Sequence, residues 1–329
     1  MMRIVLVLLL LVFGQAKAQT NSLLWEVSGN GLKKPSYLYG TYHLLRSSLV
    51  DEYPEVKRAL KKSKTVVVET ELDSSKMMAL SAQMISPDGP AWTKKLSSSE
   101  SAQLDSLLKR YFGADLNQFS ILRPSAINTM LAMGLTQEAL SDTLPDFKGP
   151  TLDQWFAAQG KKKNRKLVSL ETLEEQFALL YTQTSTDSQL VDLKNALKVI
   201  QSTGPESRRL CLAYLKQDLA ELEKIAHSFG EKHGSLESLL DDRNARWMQV
   251  LPKLMAEQPT FVAVGALHLP GEQGLIALLR AQGYTVKPVK NPVKTDDSGM
   301  DAAVILLLLL PAVTSGMEWH PPVKNPVHG

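Results

Sequence analysis

The apolar positions of this chain fall into two patterns, short runs rich in β-branched and aromatic residues of strand type and stretches of helical period. Leu23-Leu-Trp-Glu-Val27 and Ser36-Tyr-Leu-Tyr-Gly40 flank the turn-rich segment Ser28–Pro35, the pattern of an antiparallel hairpin. Tyr53, Val56 and Leu60 mark an amphipathic helix within 51–62, and Lys64-Thr-Val-Val-Val68 follows as a buried strand. From Ser74 to about Pro150 the pattern is helical and Met-rich, with N-cap candidates at Ser97–Ser99 and a proline start at Pro124. The methionines read as gap-filling core or as an apolar wall facing a substrate.

Thr151-Leu-Asp-Gln154 has the form of a capping box opening a helix that Gly160 can end. The basic run Lys161–Lys166 reads as a solvated turn before the strand Leu167-Val-Ser-Leu170. Between 187 and 229 two amphipathic helices are expected, divided by Gly204-Pro205, and Leu236, Leu240, Trp247 and Leu251 form a later helical stripe. A strand over 259–265, a helix over 271–282 and a strand over 284–289 complete the pattern.

The expected fold is therefore α/β, with a mixed central sheet of strands at about 23–27, 36–40, 64–69, 166–171, 259–265 and 284–289. A large helical insertion over about 74–257 is interrupted by the strand near 166–171, and residues 19–290 form the expected domain.

The two ends differ from this pattern. Arg3, the apolar core Ile4–Phe13 and the small-x-small site Ala16-Lys-Ala18 read as a signal peptide over 1–18, cleaved after Ala18, which predicts a secreted or periplasmic protein. Residues 291–329 are expected to be a poorly ordered tail. Its apolar run Ala302–Leu310 is shorter than the roughly 20 residues of a membrane span and suits only a weak membrane association. Pro-Val-Lys-Asn-Pro-Val occurs at both 288–293 and 322–327, and nothing in the pattern explains it.

Charge and cysteine content narrow the function. The 37 basic residues, less Arg3 and Lys17 of the leader, stand against 34 acidic ones, so nothing marks a nucleic-acid binder. The single cysteine, Cys211, allows no internal disulfide, and the fold must rest on its core.

Candidate chemistry sits where strands end. Gly40-Thr-Tyr-His43 and Gly265-Ala-Leu-His268 each close a strand with Gly-x-x-His, the glycine being expected to allow a sharp turn. Glu69 ends the Val-rich strand and Glu171 follows the strand at 167–170. Loops at the carboxyl ends of strands form the ligand crevice of an open α/β sheet, so His43, Glu69, Glu171 and His268 are expected to share one rim. Arg243 and Asn244 interrupt an apolar helical stripe; a buried guanidinium demands an anionic partner, for which Glu69 and Glu171 are the candidates.

Two imidazoles with one or two carboxylates suit zinc, manganese, cobalt or iron, and an open coordination position would serve hydrolysis. The purely structural alternative makes the glutamates helix N-terminal charges, the histidines hydrogen bonders and Arg243 a carboxylate's partner.

The motifs just quoted carry a resemblance, together with Leu170-Glu-Thr-Leu-Glu-Glu-Gln176, Arg243-Asn-Ala-Arg-Trp-Met248 and Phe261 to Gly271 followed by Gly274 to Tyr284. The chain resembles the TraB/GumN family, which includes the Tiki-type metalloproteases. The likeness runs from about Leu24 to Val289 and is densest at its two ends. It implies a metal-dependent hydrolase of peptide bonds, with a peptide or protein substrate and a divalent ion such as Mn, Co or Zn. It also implies that His43, Glu69 and His268 are the metal or catalytic positions, that Arg243 and Asn244 support them, and that Glu171 fits the same pattern. Related erythromycin-esterase-like hydrolases look metal-independent and ChaN-like proteins bind haem, so the resemblance also admits an esterase-like hydrolase or a binder of haem or another metal-containing ligand. The chain has no His-Glu-x-x-His, so a standard zincin is excluded and any metal ligands must come from separate strand ends.

Overall fold

The computed structural model describes residues 22–141, 147–162, 164–233 and 238–290. The expected leader, the C-terminal tail, Lys163 of the basic run and Leu236 of the late stripe lie outside these residues.

Among the described residues six strands form one sheet in the order β4-β3-β5-β2-β1-β6. They are β1 (Leu24–Gly29), β2 (Ser36–Thr41), β3 (Thr65–Val68), β4 (Lys166–Ser169), β5 (Thr260–Gly265) and β6 (Tyr284–Pro288). β4, β3, β5 and β2 run parallel to one another, while β1 lies antiparallel to both β2 and β6. All residues of β2, β3 and β5 are buried, which is why these strands read as continuous apolar runs rather than as alternation. The edge strand β4 is only partly covered.

Helices in chain order are α1 (Pro54–Lys62), α2 (Ser74–Leu80), α3 (Ser98–Phe112), α4 (Leu116–Phe119), α5 (Pro124–Ser141) and α6 (Leu152–Gly160). They continue with α7 (Leu173–Phe177), α8 (Thr186–Leu215), α9 (Leu219–His233), α10 (Asp241–Trp247), α11 (Leu251–Glu257) and α12 (Leu275–Ala281). α6 packs on β3, β4 and β5, α1 on β2, and α12 on β6. The insertion makes its own core, where α5 packs along α8 and Leu104, Leu108, Ile127, Leu131, Leu193 and Leu197 meet. No described helix is long and apolar enough to cross a membrane.

Local sequence sets most helix ends. Pro54 opens α1, with Glu55 in its first turn and Lys61 and Lys62 in its last, as the helix dipole favours. Thr151 and Gln154 make the expected capping box of α6, and Ser97 and Glu100 make another at α3.

Two expectations need correction. Gly204-Pro205 does not divide the helices after 187, because α8 runs through Pro205. Leu193 and Leu197 on one side of the proline and Leu210 and Cys211 on the other are buried, and this packing outweighs the backbone bond that proline removes. The chain turns instead at Gln217, which has a positive φ of 56°. Nor does Gly40 make a turn: it lies inside β2, and a Cβ there would stand 2.9 Å from both Cα and Cβ of Ala266. Glycine at position 40 allows the end of β2 to approach the segment after β5.

Candidate active site

Each of the four parallel strands delivers one side chain to the same edge of the sheet. In sheet order these are Glu171 after β4, Glu69 after β3, His268 after β5 and His43 after β2. Thr41 pairs with Gly265, so the two histidines lie two and three residues beyond one register position on adjacent strands. Both imidazoles are fully buried, and Glu69 and Glu171 are buried as well. The expected rim is therefore assembled, but it faces the interior beneath α10 rather than open solvent.

Arg243 on α10 ties the carboxylates together. Its Nε donates to Glu171 Oε1 at 2.8 Å and its Nη2 to Glu171 Oε2 at 2.9 Å, a forked contact. Nη2 also donates to Glu69 Oε2 at 2.5 Å, and Nη1 to Leu239 O at 3.1 Å. Nη1 lies 3.1 Å from His268 Nε2, so the guanidinium borders one histidine as well as both glutamates. Glu69 Oε1 accepts from the backbone N–H of Gly265 at 2.7 Å, which gives the second motif glycine a role beyond its shape.

The neighbouring Asn244 is buried and its Nδ2 donates to His268 O and Gln273 O, at 3.2 and 2.9 Å. Its Oδ1 lies 2.8 Å from His268 Nδ1. Trp247, one turn further, donates from Nε1 to Glu171 Oε1 at 3.1 Å and packs its ring 4.3 Å from that of His268. The Arg243 guanidinium also lies 4.8 Å from the Trp247 ring centre, a cation–π contact.

His43 has a different partner. Its Nδ1 lies 2.6 Å from Asp153 Oδ2, and Asp153 Oδ1 accepts from the Thr41 hydroxyl at 2.7 Å. Tyr214 donates to Gly40 O at 2.8 Å and so steadies the end of β2. Asp153, Thr41, Trp247 and Tyr214 were not singled out as site residues by the sequence pattern. Asp153 had a signal like that of Arg243: it precedes the buried Phe156, Ala157 and Gly160 at helical spacing, but its place in a capping box already explained it.

Burial shapes the titration of the centre. It pushes Glu69 upward, and neither Arg243 nor His43 fully offsets this. Burial, then Arg243 and His43, hold His268 well below the ordinary histidine value. For His43 burial acts downward, but the Asp153 carboxylate beside it turns the net direction upward. Asp153 is lowered despite its burial, through His43 and Thr41.

Two imidazoles and a carboxylate are donors of suitable chemistry for a divalent ion, and His43 Nε2 is a buried nitrogen with no hydrogen-bond partner. His268 Nε2 and Glu69 are instead engaged by Arg243. Among the described residues no group of three or more His, Cys, Asp or Glu is arranged to hold a metal. A cavity of about 180 Å³ adjoins the Asp153 side of the site, with Asp153, Thr70, Leu72, Met77, Ala157 and Ala158 among its walls.

The model of the TraB/PrgY/gumN family matches residues 23–288, a span holding all six strands of the sheet and every side chain of this cluster. The chain belongs to the TraB/PrgY/gumN family. Among curated proteins it is similar to a "Metalloprotease TIKI homolog" of Amphimedon queenslandica, at 26% identity over 82% of this chain and 62% of that protein. It is also similar to "Metalloprotease TIKI1" of Danio rerio, at 24% identity over 88% of this chain and 69% of the relative. The chain thus spans less than two thirds of the first of these relatives. No solved structure gives a significant match. The matched residues include the two Gly-x-x-His units, Glu69, Glu171 and the Arg243-Asn244 pair.

Proposed function

We propose that this chain is an exported, metal-dependent hydrolase of peptide bonds, with a peptide or protein as substrate. The observation that carries this reading is the convergence of His43, Glu69 and His268 from three adjacent parallel strands, with His43 Nε2 buried and unpartnered. The names of the two curated relatives support a peptidase, and the leader-like residues 1–18 support export.

His43, Glu69 and His268 would hold a manganese, cobalt or zinc ion, which when bound would supply Lewis acidity and water activation. Binding at these residues requires Arg243 to yield its contacts with His268 and Glu69, which its fork onto Glu171 lets it do without losing every anionic partner. Released toward the substrate, the guanidinium would steady negative charge developing on a carbonyl oxygen. Asn244 fixes the His268 ring, and Glu171 anchors both Arg243 and Trp247.

A second reading is favoured by the position of Arg243 itself, which occupies the space between His268 and Glu69: an esterase-like hydrolase that works without metal, with His43 as general base. One experiment separates the two. The chain lacking residues 1–18 is assayed against a mixture of fluorogenic peptides and esters, after exhaustive chelation and after addition of Mn²⁺, Co²⁺ or Zn²⁺. Peptide cleavage that appears only with metal, and is lost in His43→Ala and in His268→Ala, is the expected result. Cleavage that survives chelation would assign the second reading, and no cleavage under any condition would overturn both. Mass spectrometry of exported protein should give Gln19 as the first residue; an intact Met1 would overturn the leader.

A further inference from the structure

We infer that Asp153 is a positioning residue that keeps the proton of the neutral His43 ring on Nδ1 and so presents the Nε2 lone pair to the buried centre. The consequence for metal affinity rests on the proposed role of His43 as a ligand; the assignment of the proton does not.

The argument begins with hydrogen-bond inventory. An ionised carboxylate can only accept. Asp153 Oδ1 takes the Thr41 hydroxyl at 2.7 Å, and Oδ2 stands 2.6 Å from His43 Nδ1, so the hydrogen between them belongs to the ring. In a neutral imidazole the other nitrogen then carries a lone pair and no proton. That nitrogen is buried and meets no donor. A buried acceptor left without a partner is unfavourable, and native folds rarely keep one without a use for it.

The carboxylate is also held independently of the ring it orients. It sits in the first turn of α6, where free N–H groups and the helix dipole favour an anion. The capping box of Thr151 and Gln154 fixes the start of that helix, and fully buried Leu152 and Phe156 seat it in the core. Thr41, at the end of β2, fixes the second oxygen. The ring is thus clamped between a strand end and a helix start that are distant in sequence.

The other histidine shows the same arrangement with a neutral partner. Both amide hydrogens of Asn244 are directed at carbonyl oxygens, those of His268 and Gln273, so its oxygen is the atom facing His268 Nδ1. Both rings therefore turn Nε2 inward. Ligating histidines characteristically donate their second nitrogen to a carboxylate or carbonyl, and changing that partner typically lowers metal affinity by about 10–100-fold.

The test uses the chain lacking residues 1–18, labelled with ¹⁵N-histidine, freed of metal by chelation, and examined by long-range ¹H–¹⁵N correlation where the rings are neutral. His43→Gln assigns the signal. Wild type is expected to show His43 as the Nδ1–H form, and Asp153→Ala to lose that preference. Zn²⁺ affinity, read by competition with a chromophoric chelator, should fall about 10–100-fold in Asp153→Ala. An Nε2–H ring in wild type, or an unchanged tautomer in the variant, overturns the inference, and the wild-type spectrum decides even where the variant fails to fold. Unchanged Zn²⁺ affinity in Asp153→Ala overturns the effect on affinity while leaving the metal-dependent reading intact. If wild type binds no metal yet shows the tautomer change, the proton assignment stands and the metal-dependent reading falls.

Discussion

Arg243 carries a charge it cannot shed and is fully buried, so its stability depends on the two carboxylates around it. Arg243→Met strands Glu69 and Glu171 together and should destabilise the protein by about 3–5 kcal/mol in denaturant unfolding. A variant as stable as wild type would show that the contact contributes little. His268 offers a test at a ring that burial keeps neutral. Its folded value lies well below the 6.5 of a free histidine, so below that pH the unfolded chain takes up a proton that the native ring refuses. The contribution is therefore complete above pH 6.5 and declines below it, by up to about 1.4 kcal/mol per pH unit. His268→Gln should flatten that acid limb of the stability profile, and an unchanged limb would refute the assignment. Arg243 was legible because it breaks an apolar stripe and so asks for a partner, and both histidines because each follows a strand in the same Gly-x-x-His spacing. Asp153 and Trp247 were not, since one already had a reason to start a helix and the other belonged on an apolar stripe.

Among the elements, the four parallel strands decide the site, because their shared direction brings Glu171, Glu69, His268 and His43 to one edge. All six strands were readable from β-branched and aromatic runs ended by turn residues. Strand order was not, since the pairing of β2 with β5 depends on contacts between segments more than 200 positions apart, as in Tyr37 with Phe261. The helix break expected at Gly204-Pro205 failed for a related reason: local propensity was outweighed by packing against α5, which no local pattern reports. Gly40 makes the dependence on strand spacing testable. A methyl group there meets Ala266 backbone at 2.9 Å, and backbone cannot rotate away. Gly40→Ala should therefore force β2 from the segment after β5, at about 1–3 kcal/mol in unfolding experiments, and disturb both histidines together. Full stability with intact Zn²⁺ affinity would show that the two segments can separate freely.

For the molecule as a whole the difficulty is access, since every polar group of the centre is buried while the proposed peptide substrate would come from solvent. Among the described residues, the cavity beside Asp153 is an opening that the proposed reaction can use. Its volume of about 180 Å³ lies below the ~300–1,000 Å³ of whole-ligand pockets, so it suits one side chain of a longer substrate. Leu72, Met77 and Ala157 give it apolar walls, and the Lys161–Glu71 ion pair stands at its edge. Ala158 lines it too, yet is exposed, so a larger side chain there meets solvent rather than core. Ala158→Trp should leave stability within about 0.5 kcal/mol of wild type, because the position buries nothing essential. It should also leave Zn²⁺ affinity unchanged, because Ala158 touches none of the donor groups. If the substrate enters here, KM for a peptide rises at least about tenfold while kcat holds, the signature of lost binding common to ground and transition states. Equal KM in wild type and variant would place the substrate's path elsewhere.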